Sequence, residues 1–182
     1  MKLRTIVKKV YLKAYQRIRP IPFAKAVGVN FVPGTLHLYG HVDWNTEPWL
    51  ITLGRNVHIT DGVKFLTHDG GTLLYRDQVP DLEITKPITV GDCVYIGNNV
   101  LLLPGVTVGS DVVIGAGAVV SQDIPDHSVA VGVPARVIKS TEEYFAKLQK
   151  ESLHLGHLHG REKDLALREY FHYTGSAIQL HE

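Results

Sequence analysis

An all-β core wound as a parallel β-helix, with α-helical segments at both ends, is predicted by three features of the 182-residue sequence. Apolar residues recur every six positions, turn glycines keep step with them, and helix-period patterns are confined to the termini. Between residues 90 and 121 the first slot holds Val90, Ile96, Leu102, Val108, Ile114 and Val120. A second small apolar slot holds Val94, Val100, Val106, Val112 and Ala118, and glycine follows the first slot at Gly91, Gly97, Gly109 and Gly115. An α-helix, at about 3.6 residues per turn, would smear this step around its circumference. A long strand would not need a corner every six residues. Short strands joined by corners, each face sending two side chains inward, satisfy the pattern.

The same rhythm runs earlier, with Leu53, Ile59 and Phe65 in the first slot and Val57 and Val63 in the second. Weaker copies are expected from Val27 and Leu38, displaced by an insertion around Asn45 to Trp49. Residues 70–86 break the period. They open on Gly70 and Gly71 and carry Tyr75, Arg76, Asp77, Asp81 and Glu83. A long aperiodic stretch inside a strict repeat reads as an extruded functional loop.

Helical patterns occupy the ends. Residues 3–18 align Leu3, Val7, Val10, Tyr11, Ala14 and Ile18 on one face. Near the other end, Ser140 with Glu143 has the capping-box spacing and predicts a helix from about Thr141. Gly156 and Gly160 interrupt it, and a second helix is expected over 161–172. The predicted organisation is thus a basic helix and linker over 1–26, a β-helix over 27–139 and a helical tail over 140–182.

The 45% apolar and 20% charged composition is that of an ordinary globular protein, and a net charge of +1 argues against bulk attraction to nucleic acid. The average conceals an asymmetry. Lys2, Arg4, Lys8, Lys9, Lys13, Arg17 and Arg19 all fall in residues 1–20, where there is no acid, so the remainder is net negative. Such a helix either packs on the β-helix or a neighbouring subunit, or makes a peripheral contact with an anionic membrane. The lack of Trp and Phe on its apolar face favours packing. Cys93 is the only cysteine, which excludes an intramolecular disulfide and makes a cytoplasmic enzyme the expectation. No 18-residue apolar run predicts a membrane span, and the basic start lacks the apolar core of a signal peptide.

The run from Pro87 to Lys139 contains Val94-Tyr95-Ile96-Gly97-Asn98, Pro104-Gly105-Val106, Ile114-Gly115-Ala116-Gly117 and Gly132-Val133-Pro134-Ala135. It resembles the acetyl-CoA-dependent hexapeptide acyltransferases, most of all the galactoside and maltose acetyltransferases and the capsular-polysaccharide O-acetyltransferases. The resemblance covers roughly residues 27–140. It implies a left-handed β-helix, a homotrimer with active sites between subunits, and acetyl-CoA as cosubstrate. It also implies that His68, in Leu66-Thr67-His68-Asp69-Gly70-Gly71, is the general base for a small saccharide acceptor. The chemistry calls for such a group, because a neutral imidazole can take the proton of a hydroxyl as it attacks a thioester. The matching position for the oxyanion donor is the N–H of Asn98.

Asp69 is the first candidate to orient His68, with a turn-forming role as its alternative and Glu47 as another acid for the task. Asn98, Ala116, Ser121, Arg136 and Lys139 fall where the family touches the pantetheine arm or the nucleotide phosphates. Tyr75 and Arg76, on the extruded loop, are the expected acceptor-binding residues. Tyr95 replaces the tryptophan common in the galactoside branch. Cys93 sits in an outward slot and reads as filler. His154, His157 and His159 read as a polar turn between helices rather than a metal site, since no cysteine or carboxylate accompanies them at ligand spacing. His58 and His68 do not make up the histidine set of a carbonic anhydrase on the same coil. An N-acetyltransferase of an amino-sugar nucleotide and a non-catalytic scaffold remain the rival readings.

Overall fold

The computed structural model describes residues 3–175, with side chains from Val10 onward. The side chains of Lys2, Leu3, Arg4, Val7, Lys8 and Lys9, and residues 176–182 of the tail, lie outside the described part. The chain forms two compact units, Met1–Glu142 and Glu143–Glu182.

The first unit contains the predicted left-handed parallel β-helix. One face stacks Asn30–Phe31, Ile51–Leu53, Ile88–Val90 and Thr107–Val108. The second stacks Leu36–Leu38, Val57–Ile59, Val94–Ile96, Val112–Ile114 and Ser128–Val131, and Arg136–Ser140 closes it as an antiparallel edge. The third stacks Val42–Asp43, Val63–Phe65, Leu101–Leu102 and Val119–Val120. Where the repeat is strict, each residue pairs with the one 18 positions on: Thr89 with Thr107, Val94 with Val112, Leu101 with Val119. Across the extruded loop the offset widens to 37, as Thr52 pairs with Thr89 and Lys64 with Leu101. In the first turn it is 22 on the first face, where Asn30 pairs with Thr52, and 21 on the other two, where Leu36 pairs with Val57 and Val42 with Val63. Both breaks in the period therefore leave the faces in register.

Both repeat slots point inward. Ile96, Leu102, Ile114 and Val120 are 0% exposed, as are Val100, Val112 and Ala118. Each such aliphatic contributes about 1.5–3 kcal/mol relative to exposure, so the core is a stack of nearly equal increments. Trp44 caps the first turns by stacking on Phe65 at 5.2 Å between ring centroids. The corners between the first and second faces need a left-handed backbone, which Asn56, Cys93, Asp111 and His127 adopt with φ between 54° and 58°. Cys93 is an exposed corner residue of that ladder.

Helix α1 spans Leu3–Ile18 and α2 spans Pro20–Val27. Val27 is helical, and the coil proper begins at Asn30. The α2 segment reads as a linker because of Pro20 and Pro22. Both prolines lie in its first turn, where the missing N–H groups have no helical partner to lose. Gly28 ends the helix in the left-handed conformation at φ 106°, donating its N–H to Ala24 and Lys25 carbonyls. The docking face of α1 differs from the expected one. Tyr15 meets Phe23 edge-on at 5.9 Å and Gln16 Nε2 donates to the Val42 carbonyl at 2.6 Å, whereas Val10, Tyr11 and Ile18 are 63%, 64% and 77% exposed. The second unit holds most of α3, Thr141–Glu151, which starts where the capping-box spacing put it, and α4, Gly160–Tyr170. Among the described residues no helix is long and apolar enough to cross a membrane.

Candidate active site

The extruded loop leaves the coil through a short two-stranded neck. His68 bridges Thr85 in antiparallel fashion, Asp69 N–H donates to Ile84 O at 2.9 Å, and Lys86 N–H donates to Thr67 O at 2.8 Å. Beyond the neck, Gly70–Tyr75 forms a 3-10 turn. The neck holds the His68 backbone on a rigid element at the corner after the third face, while the ring stays half-exposed beside a small cleft of about 250 Å³.

The acid on that ring is Glu47. Its Oε2 accepts from His68 Nδ1 at 2.8 Å and from the fully buried Thr67 hydroxyl at 2.6 Å. The Thr46 and Thr67 hydroxyls hold the Glu47 carboxyl down to about 2; burial opposes them, and the His68 ring adds a lesser lowering. An ionised carboxylate only accepts, so Nδ1 carries the proton and Nε2 is left as the basic nitrogen. Asp69 is engaged elsewhere, its Oδ1 accepting the Gly71 N–H at 2.8 Å to cap the 3-10 turn. The three extra residues between Val42 and Ile51 supply the rest of the arrangement. They swing Pro48–Leu50 into a 3-10 turn and put Glu47 beside His68.

Arg76 lines the same cleft, but part of its guanidinium is spent inside the loop, on Glu83 at 2.7 Å and the Leu82 carbonyl at 3.2 Å. Tyr75 is exposed, and its carbonyl accepts the N–H groups of Gln78 and Val79. Arg76 and Glu83 thus shape the loop, and what remains of the Arg76 charge faces the cleft.

The positions matched to the cofactor divide between edges. Asn98 and Ala116 occupy adjacent turns of the edge between the second and third faces, where Gly117 N–H donates to Asn98 O at 2.7 Å. Asn98 Oδ1 accepts the Asp61 N–H one turn earlier at 3.2 Å, and the Asn98 N–H itself makes no hydrogen bond with the described residues. Small side chains are enforced here, because a Cβ on Gly97 would meet the Ala116 nitrogen at 2.6 Å. Ala116 itself is exposed, leaving a shallow lane for a thin chain. The turn that leads into the strand Arg136–Ser140 is tied to the third face beside this edge by the Ala135 N–H bond to Val119 O at 2.8 Å, with Arg136 exposed and Lys139 half-buried. Ser121 lies on the other edge, at the corner that His68 also occupies. Tyr95 projects from the second face between His58 and Val113.

Among the described residues no group of three His, Cys, Asp or Glu side chains is placed to hold a metal ion. Sequence reading left undetected a stack on the second face. His37 and His58 lie 4.4 Å apart, Tyr39 stacks on His58 at 5.8 Å, and its hydroxyl meets His58 Nδ1 at 2.9 Å. Their spacing of one lengthened turn was the only available signal.

The six-residue period and the three stacked faces are those of a hexapeptide-repeat protein. The family described as bacterial transferase hexapeptide (six repeats) matches residues 87–122. Protein CapG of Staphylococcus aureus is 39% identical over 168 residues, covering 91% of this chain and 96% of CapG. The chain belongs to the hexapeptide-repeat acetyltransferase family. Galactoside O-acetyltransferase of Escherichia coli K12 is 38% identical over 58% of this chain, and the match spans 54% of that enzyme's length. A hexapeptide-repeat-containing acetyltransferase of Vibrio cholerae O1 biovar eltor, crystallised with acetyl coenzyme A, superposes with a TM-score of 0.52 at 25% identity, over 71% of this chain and 83% of that one.

Proposed function

We propose that the protein is an acetyl-CoA-dependent O-acetyltransferase of a saccharide or glycan intermediate. In this reading it works in the cytoplasm as a homotrimer with His68 as general base. The observation that carries the reading is the His68–Glu47 pair at 2.8 Å, which engages Nδ1 on a ring that lines a cleft. Acetyl-CoA supplies the activated acetyl group. His68 Nε2 takes the acceptor hydroxyl proton as the oxygen bonds the acetyl carbon. The negative charge that develops on the acetyl oxygen is met by the Asn98 N–H. When the carbon–sulfur bond breaks, the imidazolium returns its proton to the departing thiolate. No covalent enzyme intermediate is needed.

The trimer reading draws support from where these groups stand. His68 and Asn98 belong to different corners of the coil, separated by the width of the third face, about 15 Å by strand rise. The two meet only when the corner of a second copy is brought alongside, and a closed three-fold ring does this three times over. Small exposed positions along the Asn98–Ala116 edge and the charge of Arg136 and Lys139 suit a pantetheine chain ending in phosphates.

Measuring CoA release with a panel of saccharide acceptors tests the activity. Transfer to at least one hydroxyl acceptor is expected, and activity confined to amino sugars would convert the enzyme to an N-acetyltransferase. Light scattering under the same conditions should show three chains per particle. A 20.2 kDa monomer with full activity would remove the shared site.

A further inference from the structure

A cavity larger than the one at His68 lies elsewhere on the first unit. A cleft of about 820 Å³ opens between α1 and the first turns of the coil, lined in part by Lys13, Gln16, Arg17, Tyr39, His41 and Asp61. This volume is in the range of small-molecule sites, roughly 300–1,000 Å³. Its composition is specific. Lys13 and Arg17 stand one helical turn apart on a helix that has no acidic residue, and among the described residues neither is paired with a carboxylate. Asp61 is the one acid in the lining, and its Oδ1 is already occupied by the His41 N–H at 2.7 Å. With two cations against one carboxylate, the cleft keeps one positive charge in excess. Tyr39 is 62% exposed and held flat against His58, so it offers a fixed ring face. The remaining lone pairs of Asp61 can accept from hydroxyls.

Two free cations, one aromatic face and one half-used carboxylate make a recognition set for a sugar that bears a phosphate. We propose that this cleft binds the phosphate-bearing part of the acceptor saccharide. The inference rests on the acetyltransferase reading, to which it is joined by position. Asp61, which lines the cleft, donates its N–H to Asn98 Oδ1, so the cleft's wall adjoins the edge assigned to the acetyl donor. The shared chemistry is a glycosyl phosphate or diphosphate, and its source is either a soluble sugar nucleotide or a lipid-linked sugar.

The test compares wild type with Lys13→Ala/Arg17→Ala by calorimetry, using glucose 1-phosphate, UDP-glucose, methyl glucoside and CoA as probes on the full chain. The double variant should lose about tenfold or more in affinity for the phosphate-bearing probes, the usual scale for charge-assisted hydrogen bonds. Its affinity for CoA and its melting temperature should be unchanged. Co-sedimentation with vesicles carrying a polyprenyl-phosphate sugar, against plain vesicles, identifies the lipid-linked source. Tight UDP-glucose binding with no vesicle preference identifies the soluble one, and either outcome supports the cleft. Phosphate-bearing probes that bind wild type no better than methyl glucoside, or bind both proteins alike, overturn it. Acetyl transfer measured on the same samples separates the two failures. Transfer without phosphate recognition ends only the cleft inference, and phosphate recognition without transfer to any acceptor ends only the acetyltransferase reading.

Discussion

Residues 87–122 and residues 42–86 wind on the same three faces, yet one run is unbroken and the other is interrupted twice. In the unbroken run, partners are 18 residues apart and each inward side chain is almost wholly buried. Its contribution is a stiff platform with small residues along one edge. The interrupted run keeps the same register at offsets of 21 and 37, and its extra residues supply Glu47 and the loop behind His68. Regular repeats can absorb insertions at corners because pairing is set by the faces, so chemistry accumulates where the period fails.

That contrast can be broken from either side. The largest effect is expected in the regular run. Ile114→Ala, at a residue with 0% exposure, should cost about 2–5 kcal/mol of stability. Denaturant titration measures this, and a loss well under 1 kcal/mol would mean that the stack relaxes around missing atoms, contrary to a stiff platform. His68→Ala should do the reverse, lowering kcat by about 10²-fold or more while the denaturation midpoint stays in place. Near-normal turnover by the purified variant would remove His68 from the chemistry.

Arg136→Ala/Lys139→Ala probes the far end of the small-residue edge. It should weaken CoA binding by about tenfold or more while leaving the acceptor KM nearly constant. An unchanged CoA affinity in calorimetry would detach both residues from the cofactor.

Glu47→Gln sharpens the comparison through pH. Losing the orienting carboxylate should reduce kcat by about tenfold with little change in acceptor KM, since Nδ1 loses its fixed partner. The Glu47 carboxyl is lowered to about 2 in the folded chain from an ordinary 4.5. Its stabilisation is thus fully present above 4.5 and is lost as pH falls through about 2. The gap in melting temperature between wild type and variant should be constant above 4.5 and close below it. A gap that persists to the lowest pH would assign the effect to packing rather than charge.

The smallest expected effect lies on the second face. Burial, and then the charge of His37, lower the His58 value from its ordinary 6.5. Folding therefore favours the neutral ring, and stability from this source is present above 6.5 and is lost as pH falls below it. His58→Phe keeps the stack and should flatten that part of the pH profile by a fraction of wild type's change in melting temperature. Identical profiles would show that the stack does not respond to pH.

The coil was legible in the sequence because its cause is local and repeated. Each inward slot must be apolar and each corner must turn, so the six-residue step appears wherever the fold does, from Leu53 to Val120. The position of His68 at the junction of coil and loop was legible for the same reason, as the point where the period stops. Its partner was legible only as a choice between Asp69 and Glu47, with Asp69 put first. Asp69 is adjacent in sequence but turns to cap Gly71, and Glu47 arrives from one turn earlier through an insertion whose path no periodicity describes. The docking face of α1 was hidden too, since an amphipathic pattern tells which side chains are apolar and not which surface they meet. Tyr15 and Gln16 find Phe23 and the Val42 carbonyl, and Val10, Tyr11 and Ile18 are left outward. Periodic burial is written along the chain, residue by residue. Groupings of distant residues, like Glu47 on His68 or the shared cleft of Lys13, Arg17, Tyr39 and Asp61, exist only once the turns and α1 are packed, and the tertiary structure alone decides them.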